Sequence, residues 1–270
     1  MEAPSYLGAL QVFGLAQANI HPIEQTENGP DLDQLEQAFA SGTIKFFYGV
    51  PDFHNPTGVC WSLATRKSVA ELCCRYSVAF VEDVPYRELR FTDDALLLAS
   101  SFCQDNAFVM RSFSKVSSPG LRMMNVSAPN SWLDALIKIR QASDLHTGLL
   151  MQAVLLSLLK SEAFLKHIEM VRLNYKQGYQ VMFNALAPLL GEHCLCRPVE
   201  GGMFVWLKLL NANAMDVTQA LLEKNVAVVP GDVFYSRAEI LQPALRLNFT
   251  HSTHEQLQIT IGRLSDVLMA

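Results

Sequence analysis

Three short apolar runs, at residues 45–50, 78–81 and 108–111, are each followed by a polar turn and separated by stretches long enough for a helix. Runs of that length, alternating with helical segments, are the signature of a mostly parallel β-sheet covered on both faces. Further strand-like runs fall at 19–23 and 123–127. Asp31 is placed to cap a helix over 32–39 and Ser62 a helix over 63–76, while Ser131 and Asp134 stand at capping-box spacing for a helix toward Ala142. A long helical stretch at 161–187 then leads into a different pattern. Strands are predicted at 202–207, 226–229 and 244–249, with a helix near 217–224. A closing helix starts at Thr253, with Ser252 and Glu255 at capping-box spacing. The expected fold class is α/β: a three-layer α/β/α large domain over residues 1–173 and a smaller C-terminal α+β domain over 174–270.

In a parallel sheet, ligands collect beyond the carboxyl ends of the strands. The residues just past each run therefore carry the functional information. Asn55 follows the first run in an Asn-Pro-Thr-Gly turn, and Asp83 and Tyr86 follow the second. Past the third lies Ser112-Phe113-Ser114-Lys115-Val116-Ser117-Ser118-Pro119-Gly120-Leu121-Arg122. Hydroxyls and a guanidinium can hold a doubly charged phosphate, and a cation beside a lysine lowers its pKa toward nucleophilicity. A lysine for an aldehyde, an acid for a pyridine nitrogen and donors for a ring oxygen are what pyridoxal phosphate requires. Taken singly, each residue has a plainer reading. Asp83 reads as a loop acid, Asn55 as a turn residue, Tyr86 as a core cap with a polar tip. Arg246 stands alone in an apolar run, where a buried arginine needs some partner.

The ordered set of motifs resembles the fold-type I pyridoxal-phosphate aminotransferases of class I/II. The resemblance is greatest to the branch holding 2-aminoadipate aminotransferases and the aminotransferase-like half of GntR-type regulators. It is carried by Glu2-Ala3-Pro4-Ser5-Tyr6, Glu27 to Asp33, His54-Asn55-Pro56-Thr57-Gly58, Val81 to Tyr86, Ser112 to Arg122, Gly201 to Trp206, Val229-Pro230-Gly231 and Leu245 to Phe249, in that order along the chain. The resemblance implies that Lys115 carries pyridoxal 5'-phosphate as a Schiff base and moves the substrate's α-proton. It implies that Asp83 pairs with the pyridine nitrogen, that Asn55 and Tyr86 bond the ring oxygen, and that Ser112, Ser114 and Arg122 hold phosphate. Arg246 would take the substrate α-carboxylate. The implied reaction is amino-group transfer between an amino acid and a 2-oxo acid, in a homodimer. One departure stands out. Relatives carry a Gly-Ser-Gln-Gln-like loop at a helix start ahead of the Glu-Ala-Pro-Ser-Tyr stretch, which helps to hold the phosphate. This chain begins at Met1-Glu2, so the large domain is expected to be incomplete at its N-terminus and the phosphate weakly held. Two alternatives follow: a catalytically impaired or non-catalytic descendant acting as a ligand-sensing or dimerisation module, and a carbon–sulfur lyase on the same cofactor.

Composition excludes several other classes. A net charge of −5, with 21 Lys+Arg and no basic stripe, argues against nucleic acid as a partner. The strongly apolar run at 149–159 is too short to span a bilayer, and no signal peptide is evident at the start. The six cysteines lack metal-ligand spacing and read as reduced, mostly buried thiols from a cytosolic or matrix compartment, with a cytoplasmic protein the expectation; no metal site is expected.

Overall fold

Alternation along two neighbouring strands builds the heart of the structure, a computed structural model that describes residues 1–92, 94, 96–237 and 242–269. Strands β4 (Phe46–Gly49) and β5 (Ala79–Asp83) pair in parallel, with Phe47 opposite Phe80 and Tyr48 opposite Val81. Phe47 and Phe80 face one side, where their rings stack at 6.1 Å and each lies 6.2 Å from Trp61. Helices α2 (Leu32–Ala40) and α3 (Leu63–Arg75) close that side with Leu35, Phe39, Val69 and Cys73. Each large apolar side chain so buried contributes roughly 1.5–3 kcal/mol. Tyr48 and Val81 face the opposite side and join a second cluster with Ala9 of α1 (Leu7–Leu15) and Ile168 of α6 (Glu162–Leu186).

The central sheet runs β4-β5-β6-β7, with β6 (Ala107–Ser112) parallel to β5 and β7 (Met124–Ser127) antiparallel at the edge. A small sheet of β1 (Glu2–Ala3), β2 (Ile23–Thr26) and β3 (Gly29–Pro30) lies beside it. A second, antiparallel sheet has the order β10-β11-β9-β8, from β8 (Cys194–Cys196), β9 (Phe204–Leu209), β10 (Val229–Pro230) and β11 (Ala244–Asn248). Its core is shared with α7 (Ala214–Glu223) and α8 (His254–Leu268), and with the far end of α6 through Met182 and Leu186. The long α6 thus packs Ile168 into one cluster and Met182 into another. Helices α4 (Asn130–Asp144) and α5 (Leu149–Lys160) connect β7 to α6.

The predicted caps at Asp31 and Ser62 form, each accepting from the backbone N–H three residues on. The others shift. At the last helix the capping box is Thr253 with Gln256, one residue beyond the predicted pair, because Gln256 Oε1 accepts from Thr253 N at 2.9 Å. Ser131 caps nothing: α4 starts at Asn130 behind Pro129, which leaves Ser131 inside the helix. The strand predicted at 19–23 lies at 23–26, where the hairpin with β3 and parallel pairing with β1 supply its hydrogen bonds. The run at 226–229 pairs only at Val229–Pro230, and α1 was not foreseen. All six cysteines are free thiols; Cys73, Cys103 and Cys194 are buried and Cys74 is exposed.

Candidate active site

Gly49 pairs with Glu82 and Asp83 with Met110, so β4, β5 and β6 end side by side and the turns beyond them share one end of the sheet. The turn after β4 is held from below by Arg66. This fully buried guanidinium donates to the carbonyls of Pro51 (3.0 Å), Trp61 (3.1 Å) and Leu97 (3.2 Å), and to Asp52 Oδ1 at 2.7 Å. Such a set of acceptors is what a buried charge requires. The Glu2 carboxylate braces the turn from the other side, accepting from Trp61 Nε1 and Val50 N at 3.0 Å each. Gly58 closes the turn at φ +75°, and a Cβ there would lie 2.6 Å from Val199 and 2.9 Å from the Phe204 carbonyl. Glycine is needed both for the left-handed backbone and for the close approach of the second sheet.

Asn55 sits at the centre of this contact. Its Oδ1 accepts from Arg246 Nη1 on β11 at 2.9 Å, and its Nδ2 donates to Tyr86 Oη at 3.4 Å. The Arg246 guanidinium lies 4.4 Å over the Phe204 ring and 5.1 Å over Phe234, while its buried Nε has no hydrogen-bond partner among the described residues. Tyr86 packs edge-on against Phe204 at 6.0 Å, and burial holds its phenol well above the usual range. Asp83, at the end of β5, is pushed up to about 6 by burial, partly offset by a hydrogen bond from Tyr48 Oη to Oδ2 at 2.7 Å.

Lys115 lies in the turn after β6. Burial lowers its pKa first, then the nearby guanidiniums of Arg246 and Arg122. Desolvation and like charge act in the same direction, so the amine loses its proton more readily than a surface lysine. In the same turn Ser114 N donates to Ser112 Oγ at 3.2 Å. Arg122 is exposed, left-handed at φ +51°, and donates to the Pro119 carbonyl at 3.3 Å. Because Ser112 pairs with Met124, the chain has returned by Arg122 to the same end of the sheet.

All eight foreseen residues therefore stand at one end of the sheet. Asn55, Tyr86 and Arg246 are joined directly, and Lys115 lies within electrostatic reach of Arg246 and Arg122. No hydrogen bond links Asp83 or Lys115 to the other foreseen residues among those described. Two tyrosines were not singled out as site residues. Tyr48 bonds Asp83, and its signal was a polar tip in an otherwise apolar strand. Tyr6 stands close enough to Tyr48, Tyr86 and Arg246 to perturb all three electrostatically. A Cβ on Gly8 would fall 2.7 Å from the Tyr6 ring, so glycine gives that ring its place. Among the described residues no group of three or more His, Cys, Asp or Glu can hold a metal, and no helix is long and apolar enough to cross a membrane.

A mostly parallel sheet with a lysine, an acid and an arginine at its carboxyl ends fits a fold-type I pyridoxal-phosphate protein, the fold of the solved relatives it superposes on. The family model for aminotransferase class I and II matches residues 1–264, and the chain belongs to that family. It is 36% identical to the 2-aminoadipate transaminase of Thermus thermophilus, over 99% of this chain and 68% of that one. A solved α-aminoadipate aminotransferase of Thermus thermophilus, complexed with N-(5'-phosphopyridoxyl)-L-leucine, superposes with a TM-score of 0.93 at 35% identity, covering 99% of this chain and 70% of that one. The kynurenine aminotransferase of Pyrococcus horikoshii, solved in complex with PMP, superposes at 0.94 with 29% identity, covering 99% and 68%. The chain thus spans about two thirds of the length of these relatives.

Proposed function

We propose that this chain carries the site of a pyridoxal-phosphate aminotransferase that exchanges an amino group between an amino acid and a 2-oxo acid. The observation that supports it most is Arg246 reaching from the second sheet to hydrogen-bond Asn55, beside Tyr86, at the end of the sheet that also bears Asp83 and Lys115. The donor set fits the cofactor. A partly desolvated amine stands in a cationic environment, a carboxylate has one oxygen bonded to Tyr48, and a buried guanidinium nitrogen lacks a partner among the described residues.

Pyridoxal phosphate, when bound, supplies an electron sink for the substrate's α-carbon as its proton leaves. Lys115 Nζ would hold and move that proton, a task suited to an amine whose pKa lies below that of a surface lysine. Asp83 sets a negative charge against the ring nitrogen and keeps it protonated. Asn55 and Tyr86 hold the ring oxygen, while Ser112, Ser114 and Arg122 hold the phosphate. Arg246 takes the substrate carboxylate in a bidentate pair through donors not spent on Asn55. Since Arg246 and Tyr86 both bond Asn55, carboxylate binding and the orientation of the ring-oxygen donors are mechanically linked.

We assign residues 1–173 to the cofactor-binding domain and 174–270 to the small domain, with α6 as a shared spine. We further propose that the chain works as a homodimer through its exposed apolar surface and, from its six free thiols, that it belongs to the reducing cytoplasm. Borohydride treatment in the presence of pyridoxal phosphate, followed by peptide mapping, is expected to fix the adduct on Lys115. An adduct on another lysine, with Lys115→Ala still yellow, overturns the assignment. Transamination measured with a panel of amino donors then identifies the substrate.

A further inference from the structure

Tyr48 has no part in the roles assigned above, yet it is 4% exposed and spends its hydroxyl on Asp83. We infer that Tyr48 is a positioning residue for Asp83: its hydroxyl occupies Oδ2, fixes the plane of the carboxylate, and keeps Asp83 charged toward the ring nitrogen through Oδ1. This rests on the assignment of Asp83 to that nitrogen.

Register places the pair. Tyr48 is opposite Val81, and Asp83 lies two residues further along the same face of β5, a diagonal neighbour within reach of a long side chain. Packing fixes the hydroxyl, since the Tyr48 ring stands edge-on to Phe13 at 5.8 Å and 80° and is buried in a cluster with Ala9, Val50 and Tyr86. Tyrosine has two side-chain torsions, and both are set by those walls. Burial and the neighbouring carboxylate hold the phenol well above its ordinary range, so its proton stays on oxygen at any working pH. A hydroxyl that keeps its proton bonds a carboxylate more strongly than a neutral acid, and so favours the charged form.

The need for such a donor is physical. No cation hydrogen-bonds Asp83 among the described residues, and burial alone drives this carboxyl toward its neutral form. A neutral acid cannot balance a pyridinium. Tyr48 is the described group that opposes the desolvation, at one oxygen, which leaves the other free for a ring nitrogen.

The test compares Tyr48→Phe with a chain carrying 3-fluorotyrosine at position 48. The first keeps the ring and removes the donor; the second makes the donor more acidic and hence stronger. In the cofactor-free chain, carbon-13 NMR of labelled aspartate carboxyls, with Asp83→Asn to assign the resonance, reads the titration midpoint of Asp83. A hydrogen bond to a charged group corresponds to about one to two pH units, so Tyr48→Phe is expected to raise the midpoint by about that much. Fluorotyrosine is expected to lower it. Pyridoxal-phosphate affinity, followed by fluorescence across the acid-to-neutral range, is expected to fall off at correspondingly higher pH in Tyr48→Phe. A midpoint unmoved in both variants overturns the role of Tyr48. A midpoint that moves while the affinity profile is identical in wild type, Tyr48→Phe and Asp83→Asn overturns the assignment of Asp83 to the ring, and the proposal with it.

Discussion

The two halves of the central sheet are made of similar residues and meet opposite surroundings. Around β4 and β5, Phe47, Tyr48, Phe80 and Glu82 are all buried, and helices cover both faces. Around β6 and β7 the pattern breaks. Every residue of β7 is exposed, and α4 buries none of its residues although it carries Trp132, Leu133, Ile137 and Ile139. In α5, Leu149 and Leu150 are 75% and 70% exposed. Apolar content alone does not make a core; a core needs an opposing surface. The proposed site straddles this divide. Asn55, Asp83 and Tyr86 belong to the covered half and are fixed by hydrogen bonds between strands and sheets. Ser112, Ser114 and Lys115 are half-buried where the bare half begins and Arg122 is exposed; there Ser114 bonds Ser112 and Arg122 bonds Pro119 within their own turn.

The sharpest way to break this comparison is to remove one ion pair from each half. Arg66→Met strands three carbonyls in the buried base of the Asn55 turn and takes the nearest cation from Asp52, leaving it Arg87 at 3.3 Å and Arg90 at 3.9 Å, and is expected to cost about 3 kcal/mol or more. Arg140→Ala removes the exposed pair with Asp144 on α4 and is expected to cost less than about 1 kcal/mol. Urea unfolding of both variants checks this, and equal costs would show that the two halves do not differ.

A second contrast lies within Asp83 itself, whose burial works against stability. Its folded pKa of about 6 lies above the ordinary 3.8. Between those values the folded chain holds a proton that the unfolded chain has lost. Stability therefore falls as pH rises through that window, and the loss, about 3 kcal/mol, is fully present above pH 6 and absent below 3.8. Asp83→Asn is expected to make the cofactor-free chain more stable at neutral pH, with the gain vanishing in acid. The same variant is expected to lower turnover by roughly a hundredfold or more, since it removes the charge that would keep the ring nitrogen protonated. Thermal melts across pH, paired with single-turnover rates, check both signs.

The meeting of the site's turns at one end of the sheet was legible in the sequence. Asn55, Asp83 and Lys115 each follow an apolar run, and parallel pairing obliges the ends of such runs to meet. The link from Arg246 to Asn55 was not legible, because it joins residues 191 positions apart across two sheets. Tyr48 was hidden for a different reason: in a strand of Phe46, Phe47 and Tyr48 the hydroxyl reads as incidental until register shows which carboxylate it meets. Helix α4 was placed correctly while its Ser131 cap was not, since capping-box spacing recurs by chance and Pro129 starts the helix first. The bareness of α4 and α5 had no local signal at all. Their apolar residues are spaced as in a buried helix, and sequence periodicity reports which face is apolar, never what lies against it.

The smallest expected effect on stability falls on that bare face. Leu149 and Leu150 open α5 and are mostly exposed, so replacing both with serine is expected to change the unfolding free energy by no more than about 0.5 kcal/mol per site. Its effect on association should be far larger. Exposed large apolar side chains in this number favour self-association, and a strand edge such as that of β7, unpaired among the described residues, adds a template for it. Light scattering of the parent chain is therefore expected to show assemblies of two or more copies, and the double variant Leu149→Ser, Leu150→Ser is expected to shift them toward smaller species with its melt unchanged. A parent chain that stays monomeric at high concentration would show that the face tolerates water and is not a meeting surface. A double variant that loses several kcal/mol instead would show that these leucines are buried within the single chain, and the contrast between the two halves of the sheet would collapse.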